Sequence, residues 1–158
     1  MLRPNKQGFG VVEIVVAIAI ISVVLFGLMR IARNFLVLSR TTSNQVKASY
    51  LLEEELEALR SIRDRSWSGE IAPLISGTSY YFYFGAGIWQ TTTTPQIIDD
   101  FSRSFKMADV YRDANDDIAD VGTLDPNTKK FEFKVSWDGP KGVSSQSLST
   151  YFTNFFDN

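Results

Sequence analysis

The chain has 158 residues and contains no cysteine and no histidine. The first absence removes disulfides, thiol nucleophiles and thiolate metal sites. The second removes His-based dyads and triads and imidazole metal ligands. Positive charge is also in short supply, with 16 Lys and Arg against 18 Asp and Glu and a formal net charge of −2. That balance argues against broad, non-specific nucleic-acid binding, which needs a basic surface, and leaves room only for a local basic patch. A domain without disulfides is held by its core, and 12 Phe, 6 Tyr and 3 Trp supply one. No nucleophile with a base beside it and no phosphate-binding glycine loop is legible. No internal repeat is visible.

One long apolar run stands out. Phe9 to Met29 is 21 residues long, its only charge is Glu13, and Met1–Gly8 with Arg3 and Lys6 precedes it. As a helix the run spans about 31 Å, at ~1.5 Å per residue, which matches the hydrocarbon core of a bilayer. An ionised side chain in such a helix costs on the order of 2.5 to 3.5 kcal/mol, so Glu13 needs a charged partner. The amine freed by cutting between Gly8 and Phe9 is the candidate. A cleaved secretory signal fits poorly, because its apolar region is ~7–15 residues and ends at a small-x-small site. Here Arg30 follows the run with no such site. A plain signal anchor remains the competing account. Arg3 and Lys6 on one side and Arg30, Arg33 and Arg40 on the other leave the orientation nearly balanced by charge alone.

The helical pattern continues past the apolar run. Ile31, Phe35, Leu38, Val46, Leu52, Leu56, Leu59 and Ile62 recur at spacings built from threes and fours, the stripe of an amphipathic helix. No Pro or Gly interrupts residues 28–68, and Ser66, Ser68 and Gly69 are its stop. The charged stretch from Glu53 through Glu54, Glu55 and Glu57 to Arg60, Arg63 and Arg65 reads as a solvated face, with Glu57 and Arg60 spaced to pair. Beyond Gly69 the pattern turns strand-like. Tyr80–Phe84 reads as a buried aromatic strand, and Gly85, Gly87 and Thr91–Pro95 as a loop. Phe101, Phe105, Met107 and Tyr111 share one parity. Phe131, Phe133, Val135 and Trp137 alternate with polar residues, Asp138–Gly139–Pro140 marks a turn, and Leu148, Thr150 and Phe152 close the pattern. These features predict an α+β fold, in which the distal half of a long N-terminal helix packs on an antiparallel sheet of about four strands.

Three clusters are candidates for binding or chemistry. Asp113, Asn115, Asp117 and Asp120 crowd a loop with oxygens at alternate positions, a spacing able to wrap calcium. Yet no Gly makes the sharp turn at Ile118 and no Glu closes the loop, and Asx residues favour turns by themselves. The aromatic run Tyr80–Phe84 could form a stacking platform, but aromatics dominate cores and interfaces, which points to core or subunit packing. Asp99–Asp100 is a carboxylate pair only by proximity in sequence. No other metal or cofactor site is expected.

The string KQGFGVVEIVVAIAIISVV resembles the processing site of a type IV prepilin. In that family a short basic leader ending in Gly is removed, the new N-terminal residue, usually Phe, is N-methylated, and the fifth mature residue is Glu. Gly8, Phe9 and Glu13 occupy those positions. LLEEELEALRSIRDRSW, VYRDANDD, TLDPNTKK and KVSW also resemble minor-pilin-like proteins. The resemblance implies a leader at 1–8, a transmembrane helix at 9–29, an amphipathic continuation at 30–68, and a sheet region at 69–158 that forms the head with the distal helix. It puts the leader in the cytoplasm and the head outside the inner membrane. The implied partners are prepilin peptidase and other pilin or pseudopilin subunits, with no nucleic acid, and the implied role is structural, not enzymatic. The resemblance implies a minor pilin or pseudopilin more than a major subunit, and two departures from major pilins, Arg30 where many have Pro and Ser22 where Gly is frequent, imply a helix that kinks or melts less. The alternative is an adhesion or DNA-binding module that uses a pilin-type anchor.

Overall fold

The computed structural model of the chain describes residues 10–140 and 142–156. It resolves into two compact units, Met1–Thr41 and Thr42–Asn158. Helix α1, Val11–Arg65, contributes to both.

In the first unit the chain is helical from Val11 onward, and none of the described residues is buried. The hydroxyls of Ser22 and Thr41 donate to the carbonyls of Ile18 and Val37 at 2.8 and 2.9 Å, so each polar side chain is satisfied within its own turn. This segment is long and apolar enough to cross a membrane.

In the second unit the helix is one-sided. Ala48, Leu52, Glu55, Leu59 and Ile62 are buried, at alternating spacings of four and three that keep them on one face. Leu52, Leu59 and Ile62 belong to the stripe predicted from sequence, whereas Val46 stands 50% exposed and Ala48 takes the inward position. The helix ends at Arg65, three residues short of the predicted boundary, because Ser66 adopts an extended conformation and its hydroxyl accepts the Gly69 N–H at 3.0 Å. A single π-turn, Trp67–Ile71, follows. Arg65 clamps this corner, donating to both carboxylate oxygens of Glu70, at 3.0 and 2.6 Å, and to the Trp89 carbonyl at 2.7 Å.

The sheet is antiparallel and richer than four strands. Its elements are β1 (Ser79–Gly85), β2 (Ile88–Thr92), β3 (Gln96–Ile98), β4 (Phe101–Arg112), β5 (Ile118–Ala119), β6 (Thr123–Gly139) and β7 (Gly142–Thr153). The main order is β2-β1-β4-β6-β7, with β3 and β5 also paired to β4. The predicted loop over Thr91–Pro95 is therefore in part a strand, since Thr91 and Thr92 pair with Phe82 and Tyr81. Ala86 and Gly87, both at positive φ, make the two-residue turn that allows it. Asp99 and Asp100 occupy the equivalent turn between β3 and β4, with φ of +48° and +69°. They are turn residues, and Lys47 holds Asp99 at 3.1 Å.

The core lies between the helix and one face of the sheet. Phe105, Phe131, Phe133 and Val135 are at most 1% exposed, with the Phe82 and Phe105 rings stacked 4.5 Å apart. β1 buries only Tyr80 and Phe82; Tyr83 and Phe84, on opposite faces of the strand, are both exposed, so the aromatic run is not buried on both sides. In β4 the register shifts between Asp109 and Val110. Past this bulge Val110 turns inward and Tyr111, expected on the inner face, is exposed.

Candidate functional site

Gly8 and Phe9, the expected cleavage and methylation positions, lie outside the described residues. Glu13 lies in the first turn of α1, where its own N–H donates to the Gly10 carbonyl at 3.0 Å. A carboxylate there faces the positive end of the helix dipole. The next cation along the segment, Arg30, is seventeen residues away, about 25 Å at ~1.5 Å per residue. From Val11 to Met29 the large apolar side chains stand at least half exposed on every side of the helix. Such a surface is not stable in water, so the segment needs lipid or other helices around it.

The acidic loop is organised around its own backbone. Asp113 Oδ1 accepts the N–H groups of Asn115, at 2.8 Å, and Asp117, at 3.1 Å. Arg112 donates to the Asp116 carbonyl at 2.7 Å and to Asp125 Oδ2 at 2.7 Å. Partial burial works to raise the Asp125 carboxyl, but hydrogen bonds from Arg112, Thr128 and Asn127 outweigh it and hold the group below the usual range. Asp120 lies past β5, beyond this ring of bonds. Among the described residues no three His, Cys, Asp or Glu converge as a metal cage.

The sequence hid one feature. Glu55 was read as part of a solvated face, but it is completely buried on the inner face of α1. Glu57 and Arg60 in the same charge run do pair at the surface, at 2.5 Å. Opposite the helix, Arg103 of β4 is 3% exposed and donates to Glu54 Oε1 at 3.1 Å. Among the described residues neither Glu55 oxygen has a hydrogen-bond partner. Burial pushes the Glu55 carboxyl up to about 8; Arg103 draws it down and Glu54 pushes it up. The available signal was phase: a helix that buries Leu52, Leu59 and Ile62 must also turn residue 55 inward.

The geometry defines a class: an α+β, pilin-like protein with an apolar N-terminal helix and a helix-on-sheet head. Within it, residues 3–29 match the family model described as the prokaryotic N-terminal methylation motif. That motif is the class III prepilin signal sequence of type IV pilin-like proteins, a structural and generally non-enzymatic group. No curated protein and no solved structure matches the chain.

Proposed function

We propose that this chain is a minor pilin or pseudopilin, a structural subunit of a type IV pilus or of a related secretion or uptake filament. In this reading prepilin peptidase cuts after Gly8 at the inner membrane, Phe9 is methylated, and the head stands outside. The observation that carries the reading is the coincidence of the motif at 3–29 with a helix apolar on all sides. Once cut, the chain has its basic leader residues Arg3 and Lys6 removed, leaving 14 basic against 18 acidic side chains. Glu13 then meets the amine of Phe9 on an adjacent subunit as helices stagger. In low dielectric that pair is strongly attractive, while either member alone is costly to bury, so docking favours the register that joins them.

The test is the ratio of assembled to membrane-held protein in sheared fractions. Glu13→Val and Glu13→Gln both insert and are cleaved, and both lose entry into the filament. Normal assembly by the Gln variant removes the docking role from the charge. A chain that reaches the surface without joining any filament moves the weight to an anchored binding module.

A further inference from the structure

We propose that Glu55 is held as a neutral carboxylic acid in the folded head, which leaves Arg103 to Glu54 as a proton-dependent clamp between α1 and the sheet, and that this clamp weakens when the Glu55 proton is lost to solvent.

The geometry leaves the carboxylate no good ionised state. Glu55 is fully buried, and neither oxygen accepts a hydrogen bond among the described residues. An ionised carboxylate in that setting costs far more than a protonated one. Among the described residues, the buried cation that acts on it is Arg103, which is already engaged with Glu54 on the helix surface. Ionised Glu55 therefore competes with Glu54 for the same guanidinium. Other elements offer no relief. On β6, inward Lys129 is taken by Asp109 at 2.6 Å. On β7, Gln146 is uncharged and bonds Ser49. On β1, the Tyr80 hydroxyl accepts the Ile75 N–H.

The sign follows from proton uptake. The group's folded pKa, about 8, lies above its value of 4.5 in the unfolded chain. The folded head therefore binds one proton more than the unfolded chain between those limits. The contribution of this one group is complete below its unfolded value and is lost as pH rises toward 8. The chain has no histidine, so no other side chain ordinarily titrates from roughly pH 5.5 to 7.5.

Urea unfolding of the full chain in detergent micelles, followed by tryptophan fluorescence, tests the clamp. Trp67, Trp89 and Trp137 all belong to the second unit, so the signal reports the head. In the wild type the folded-to-unfolded ratio falls about tenfold per pH unit across that window. In Glu55→Gln and Glu55→Leu the ratio is flat. In Arg103→Met the decline extends to higher pH, because the guanidinium is what draws Glu55 down. A flat wild-type profile overturns the proposal even if no variant folds. So does a wild-type slope retained in Glu55→Gln. A decline that ends at lower pH in Arg103→Met removes the role given to Arg103.

Discussion

Val11, Phe26 and Phe35 stand 78%, 73% and 71% exposed, whereas Phe105, Phe131 and Phe133 are at 1% or less. The same kinds of side chain thus meet opposite environments in the two units. In the head, buried positions return at every second residue of β6 from Phe131 to Trp137 and of β4 up to its bulge, and at alternating fours and threes on the helix, and most of them are apolar. Each element has one face to bury, and the others cover it. In the first unit apolar residues surround the helix from Val11 to Met29, with no polar face left for water. No internal partner can cover a surface of that form. The difference teaches that the head is stabilised by its own chain, whereas the N-terminal helix depends on what surrounds it.

The largest expected effect tests the self-contained half. Phe133→Ala removes a fully buried ring stacked with Phe82 and Phe131, and costs about 3–5 kcal/mol of head stability. Urea titration in detergent measures it, and the membrane-bound fraction stays unchanged. A cost below ~1 kcal/mol would break the comparison on the head side.

Next comes the dependent half. Ile18→Lys places a charge in the apolar run at an insertion cost of about 2.5–3.5 kcal/mol. The protein shifts out of the membrane fraction while the head, read by its tryptophans, unfolds at the wild-type urea concentration. Coupled loss of head stability would show that the two units are not energetically separate.

Smaller effects sharpen the boundary of the head helix. Ser66→Ala leaves the Gly69 N–H without its hydroxyl acceptor and costs about 1 kcal/mol. Arg60→Ala breaks a pair with Glu57 in which both side chains are about half exposed or more, and the expected loss is within ~0.5 kcal/mol. A reversed order of these two variants in the same titration would mean that the helix end is held by charge and not by its cap.

Periodicity explains which parts of this arrangement were readable. Phe131 to Trp137 alternates without interruption, and its inward set is buried as the pattern required. Phe9 to Met29 is legible because composition alone identifies it. Three features were not. β2 contains Thr91 and Thr92 after a glycine turn, and short Thr-rich strands look like loops until a partner is known. The bulge at Asp109/Val110 resets the parity of β4, which a strict period of two cannot foresee. Glu55 sits where the apolar stripe demands a hydrophobic side chain, and a carboxylate within a run of carboxylates gives no reason to place it inside. Of the candidate residues, Glu13 was singled out by its isolation in the apolar run, while the burial of Glu55 with Arg103 depends on a strand 48 residues later in the chain.

The proposed function requires that the N-terminal helix be released from its leader after Gly8 so that other subunits can pack around it. Intact mass of the protein extracted from membranes of a cell that carries a prepilin peptidase tests it most directly. The account predicts a single mature species that begins at Phe9 and carries one methyl group on its amine, and an uncut precursor for Gly8→Val. A mature chain beginning at any other residue, or one that keeps Met1–Gly8 in the presence of the peptidase, contradicts it.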